Sequence, residues 1–239
     1  MKALVAMLVG SLAAASTGSL GVTVAEVPQI IRSGPRGCHE VAITFDVCPV
    51  HSGSGFDEGL VDELVRERIP ATFFLSGRWI TGHDAAVRRL LEVPFFEVET
   101  HGQLHAHLRT LDRDHQRDEI EGPVDTLRAR YDHSPAFFRP PYGEYDDTTL
   151  SVAHDLGLTP VLWSSASGDP DPRLSETDIV KSLSETIHDG SVIVFHANGK
   201  GLHTRAVIGD LEIGALRKKG LRPVTLSELV NGCEGGRRN

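Results

Sequence analysis

The chain lacks a basic surplus: 24 Lys and Arg stand against 33 Asp and Glu in 239 residues, a formal charge of −9. A nucleic-acid partner needs a basic face, so this balance argues against one. No block of like charges is present to form a tail or a polybasic patch. There is no internal repeat, no low-complexity tract beyond the start and no Pro/Gly/Ser-rich linker between residues 26 and 239, which reads as one domain. Cysteine is scarce, with Cys38, Cys48 and Cys233 the three present. An odd count in an exported protein leaves one outside any pair. Cys38 and Cys233 flank the domain and can staple its ends, whereas Cys48 reads as a small buried hydrophobe or a ligand. After the first residues, no segment is long and apolar enough to span a bilayer.

What is present begins with an export signature. In MKALVAMLVGSLAAASTGSLGVTVAEV, Lys2 is the charged start and Ala3 to Ala15 the apolar run. Val24-Ala25 before Glu26 offers a cleavage site, and Ala13-Ala14-Ala15 an earlier one. The expectation is a signal peptide over 1–25 and a folded domain over 26–239. The protein is then exported, periplasmic or secreted, and touches a membrane only if that segment is uncut.

Apolar, β-prone runs alternate with stretches of helical period. The strands are expected at His39–Phe45, Ala71–Leu75, Phe95–Val98, Ala136–Arg139, Thr159–Trp163, Val192–Phe195 and Leu221–Thr225. The helices are expected at Asp57–Arg68, Asp84–Leu91, Arg113–Tyr131, Asp146–Leu156, Glu176–His188 and Thr204–Lys219. This alternation predicts an α/β fold with parallel strands, a distorted (β/α)7 barrel in a single domain. In such folds chemistry gathers at the carboxyl ends of the strands.

Those ends carry a consistent set of side chains. AITFDVC places one carboxylate, Asp46, at the end of a buried strand, where an ion must be paired or coordinated. ETHGQLHAHL follows the third strand with His101 and His105 four apart, a spacing that brings both imidazoles to one divalent ion. RPPYG follows the fourth, with Arg139 able to clamp a carboxylate, Pro140-Pro141 fixing a rigid turn and Tyr142 exposing a ring. SASGDPDP holds Asp169 and Asp171 in a turn-rich loop, and VFHANG ends its strand on His196. Asp46, His101, His105, Arg139, Asp169 and His196 on one rim make up a metal-assisted hydrolase.

The set TFDVCP, THGQLH, RPPYG, SGDP and VFHANG, in this order, resembles the NodB-type polysaccharide deacetylases of carbohydrate esterase family four, over residues 39 to 230. The resemblance implies that Asp46 is the catalytic base and Arg139 the residue that holds it. It implies metal ligation by His101 and His105, an oxyanion contact from Tyr142 with substrate contact there and at Pro141, and a general acid, His196, oriented by Asp169. The cofactor implied is a divalent metal, zinc above all, and the partner an N-acetylated polysaccharide.

One departure bears on the metal. The family motif TFDDGP has a second acid that ligates the ion, and here Val47 stands in its place. Three replacements are open: Asp57, brought back by Gly53 and Gly55; Cys48 as a thiolate; or water. Asp57 is preferred, although it is also placed to N-cap the first helix. Ala166 and Pro170 further depart from the acid and aromatic that the family carries after Trp163, which bears on substrate identity. The expected function is removal of N-acetyl groups from peptidoglycan, chitin-like oligomers or exopolysaccharide. The alternatives are a catalytically inactive glycan-binding relative, motivated by Val47, and a metal-independent hydrolase of another carbon–nitrogen bond.

Overall fold

The computed structural model describes residues 29–49, 55–198, 201 and 203–233. In chain order the first half holds β1 (Glu40–Val47), α1 (Glu58–Glu67), β2 (Ala71–Leu75), α2 (Gly77–Gly82), α3 (Asp84–Glu92), β3 (Phe96–Thr100) and α4 (Arg113–Tyr131). The second holds β4 (Phe137–Phe138), α5 (Asp147–Asp155), β5 (Thr159–Pro160), β6 (Ser165–Ala166), α6 (Glu176–Thr186), β7 (Val192–His196), α7 (Thr204–Asp210), β8 (Arg222–Val224) and α8 (Leu226–Asn231).

Strand β1 is buried at every position, as a parallel strand covered on both faces must be. Its residues alternate between two environments. Ile43, Phe45 and Val47 pack toward the helices, where the Phe45 ring lies 5.1 Å from Phe73 and 5.8 Å from Phe195. Ala42, Thr44 and Asp46 turn to the other face. Seven strands run in the order β5-β4-β3-β2-β1-β7-β6, all parallel, as a curled half-barrel with helices outside, and β8 adds to the beginning of β1. The expected single-domain (β/α)7 architecture is what the chain adopts.

Three details differ from the sequence reading. Of the run Thr159–Trp163 only β5 is strand and lies on β4, Val161 bridges to Ile31, and past the run a separate short strand, β6, pairs with β7. Curling brings the two edges of the sheet close, so neighbouring stretches serve both. Helices α2 and α8 carry six residues each, too few to display a helical period. Beyond α7 the expected long helix continues as a π-helical turn over Leu211–Leu216.

Local signals start the helices. Asp57 caps α1, its Oδ1 accepting from the Leu60 N–H at 3.0 Å. Capping boxes open α5 (Asp146 with Thr149), α6 (Ser175 with Asp178) and α8 (Thr225 with Glu228). A disulfide between Cys38 and Cys233 ties the two ends of the domain. No helix among the described residues is long and apolar enough to cross a membrane. The expected signal segment, 1–25, lies outside the described residues.

Candidate active site

A cavity of 390 Å³ opens at the carboxyl ends of the strands, lined by Asp46, Cys48, His101, His105, Tyr142 and His196, with Trp163 and the loop from Ala166 to Pro170 as its other wall.

Asp46 sits on the inward face of β1 with 4% of its surface exposed. Arg139, fully buried, donates from Nη1 to Asp46 Oδ1 at 2.8 Å and to Thr44 Oγ1 at 2.8 Å, and from Nη2 to the Leu162 carbonyl at 3.3 Å. Its guanidinium lies 3.9 Å from the centre of the Phe74 ring. Burial pushes the Asp46 pKa up, but the charges of His101, Arg139 and His196 and the Arg139 hydrogen bond outweigh it, and the carboxyl is held below its ordinary 3.8. It is therefore an ionised acceptor at neutral pH, and Arg139 stays charged beside it.

His101 follows directly from β3. Its Nδ1 lies 2.9 Å from the Arg139 carbonyl, an acceptor, so that nitrogen carries the proton. Nε2 then presents a lone pair, 3.6 Å from Asp46 Oδ2. A carbonyl on the far nitrogen is the arrangement that fixes a metal-ligating imidazole. Burial lowers the His101 pKa below 6.5 despite Asp46, which keeps the ring neutral and able to ligate.

The loop that carries His105 is built for closeness. Gly102 has φ +74°, and a Cβ there would lie 3.1 Å from Pro141 Cγ and 3.2 Å from Glu119 Oε1. Glu119, on the buried face of α4, accepts from the Leu104 N–H at 2.7 Å and the Ala106 N–H at 2.9 Å. His105, at φ +62°, is thereby gripped on both sides, and its Nε2 lies 3.3 Å from Cys48 Sγ. The ligand atoms of Cys48, His101 and His105 all fall within 4.8 Å of one another. Two imidazoles and a thiol are a donor set that fits a divalent ion such as zinc.

Asp169 is fully buried and has every lone-pair direction used. Its Oδ1 takes Ser167 Oγ at 2.7 Å and His196 Nδ1 at 3.0 Å. Its Oδ2 takes the His196 N–H at 2.8 Å and Thr204 Oγ1 at 2.5 Å. The imidazole of His196 is thus held with Nε2 toward the cavity. Tyr142 turns through a left-handed conformation, φ +59°, that exposes its ring on the rim. The ring stacks on His107 at 4.1 Å and 7° and meets the edge of His105 at 4.4 Å; Glu144 holds His107 Nδ1 at 2.9 Å.

The structure brings together Asp46, His101, His105, Arg139, Tyr142, Asp169 and His196. Pro141 lies behind the wall, packed toward Gly102, and does not line the cavity. Asp57 is not brought to the histidines either: it is the N-cap of α1, and its other neighbour is Arg205 Nη1 at 3.9 Å. A helix start needs an acceptor at that position, and this fixes the carboxylate away from the cavity. Cys48, not Asp57, stands beside the two histidines. Glu119 is not among the strand-end residues to which the sequence points; its signal is an acid on the apolar stripe of Ile120, Pro123 and Val124. Ser167 and Thr204 carried no signal of their own.

The polysaccharide deacetylase family profile matches residues 33–161. A peptidoglycan-N-acetylglucosamine deacetylase of Bacillus cereus is 30% identical over 199 residues, covering 82% of this chain and 70% of that protein. A chitooligosaccharide deacetylase of Sinorhizobium fredii is 30% identical over 170 residues, 70% of this chain and 77% of that protein. Among solved structures, the Bc1960 peptidoglycan N-acetylglucosamine deacetylase superposes with a TM-score of 0.77 at 27% identity, over 85% of this chain and 93% of the other. A family 4 carbohydrate esterase from Streptomyces lividans, in complex with acetate, gives 0.66 at 30% identity, over 77% and 91%. The chain belongs to the NodB-type polysaccharide deacetylases of carbohydrate esterase family four, hydrolases of non-peptide carbon–nitrogen bonds.

Proposed function

We propose that the protein is an exported, metal-dependent deacetylase that removes N-acetyl groups from a cell-wall or related polysaccharide. One observation carries this reading: the anchored carboxylate Asp46, the neutral imidazole of His101 and the oriented imidazole of His196 face one another across a single cavity. The disulfide supports export, since such bonds persist in oxidising compartments. The peptidoglycan and chitooligosaccharide activities of the relatives support the substrate class.

In this mechanism His101 and His105 hold a divalent ion, zinc above all. When bound, the ion supplies Lewis-acid polarisation of the acetyl carbonyl and acidification of the attacking water. Asp46, kept ionised by Arg139, takes the proton of that water. The Tyr142 N–H, turned by the left-handed backbone, meets the developing oxyanion. His196 donates from Nε2 to the leaving nitrogen while Asp169 keeps Nδ1 protonated. Acetate departs and the sugar retains a free amine. The apolar wall of Trp163, Ala166 and Pro170 receives the sugar face.

The test is acetate release from N-acetylated peptidoglycan and from chitin oligomers by protein loaded with zinc. Release that disappears in Asp46→Asn supports the reading. A loaded, folded protein that binds these glycans without releasing acetate supports the glycan-binding alternative and overturns the reading.

A further inference from the structure

Two histidines hold a divalent ion weakly, and a catalytic zinc site has three protein ligands. The position after Asp46, where related motifs carry an acid, is Val47, packed into the hydrophobic core with no exposure. Cys48, the first residue beyond β1, lines the cavity together with Asp46. Its backbone is fixed there, because Asn198 Nδ2 donates to the Cys48 carbonyl at 2.8 Å.

We propose that Cys48, as a thiolate, is the third protein ligand of the ion, in a set of two imidazoles and one sulfur. The inference rests on the metal-dependent reading above. Zinc–sulfur and zinc–nitrogen bonds of about 2.3 and 2.1 Å at a tetrahedral angle place S and N about 3.6 Å apart. Sγ and His105 Nε2 stand at 3.3 Å, so a shift of a few tenths of an ångström admits the ion. His101 Nε2 closes the group within 4.8 Å. On coordination the thiol proton passes to solvent. A sulfur ligand selects zinc or cobalt over magnesium and manganese, which prefer oxygen.

Cobalt titration reads this directly on the wild-type protein, stripped with a chelator. Cys38 and Cys233 are joined in a disulfide, so Cys48 holds the one thiol of the chain. The expected result is a thiolate-to-cobalt charge-transfer band in the near ultraviolet that saturates at one equivalent. Cys48→Ser lacks the band and binds zinc ~100-fold more weakly, at the upper end of the loss seen when a supporting partner of a ligand is removed. Asp57→Asn, which still caps α1, keeps the band. Saturable cobalt binding without the band, or loss of the band in Asp57→Asn, overturns the proposal and leaves the metal-dependent deacetylase standing. A wild-type protein that takes up neither cobalt nor zinc overturns both.

Discussion

Arg139 and Asp46 form a hydrogen-bonded ion pair of 2.8 Å with 0% and 6% of their side chains exposed. The arginine comes from the residue after β4 and the aspartate from β1, two strands that do not pair with each other. The pair spans the inside of the half-barrel and fixes one carboxylate oxygen, which leaves the other, Oδ2, toward His101. A charge buried this way carries a cost that its partner offsets only while both are present.

Removing the carboxylate charge is expected to stop the chemistry in a protein that still folds, at reduced stability because the buried Arg139 charge loses its partner. Asp46→Asn is expected to lower kcat by about 10²–10⁴-fold, the contribution of a positioned acid or base. Circular dichroism is expected to be unchanged. Arg139→Ala, which strands a buried charge, is expected to lower stability by about 3–5 kcal/mol in urea titration. An Arg139→Ala protein as stable as wild type would show that the pair holds nothing in place.

Asp169→Asn tests the orientation of His196. Four donors converge on the carboxylate, and an amide can accept at one atom only, so Nδ1 of His196 loses its acceptor. The expected outcome is a fall in kcat of about 10²-fold or more with KM nearly unchanged. A change confined to KM would place the pair in substrate binding.

Glu119 is a positioning residue for the loop of His105. Glu119→Gln keeps the size but converts the anion that two N–H groups address into a weaker acceptor. Zinc affinity, measured by competition with a chelating dye, is expected to fall by about 10–100-fold, the usual cost of losing a group that orients a ligand. Affinity equal to wild type would assign Glu119 to packing alone.

The pH dependence of stability has two opposed parts. Burial raises the Glu99 pKa well above 4.5, helped by Glu97 and opposed by the N–H groups of Phe137 and Ala136. Its contribution is full below 4.5 and is lost as pH rises through the folded value, because the unfolded chain releases the proton first. Asp46 has the other sign: its contribution is present above 3.8 and is lost as pH falls through its depressed value. Urea unfolding across pH is expected to show Glu99→Gln flattening the higher-pH side and Asp46→Asn the acid side. The same slopes in both variants as in wild type would refute these assignments.

Opening the disulfide should cost stability without touching the cavity. The bridge closes a loop of 195 residues, worth up to about 5 kcal/mol by the chain-entropy relation. Cys38→Ser paired with Cys233→Ser is expected to unfold at lower urea while acetate release below the transition is kept.

Much of this protein is determined locally and was legible in its sequence. β1, β2, α4 and the starts of α5 and α6 follow from hydrophobic period and local start signals, which act over a few residues. The strand-end residues Asp46, His101, Arg139 and His196 were legible because parallel α/β folds gather their strand ends on one side. The tertiary structure decided what depends on distant partners. It divided the chain after Thr159 between two sheet edges and set Glu119 under the His105 loop. It also set Cys48, and not Asp57, beside the histidines. Nothing in one dimension ranks a carboxylate in a loop against a thiol just past a strand end. Helix α1 needed an acceptor at its first turn, and the chain just beyond β1 sets residue 48 beside His105, so the carboxylate caps the helix and the thiol faces the site.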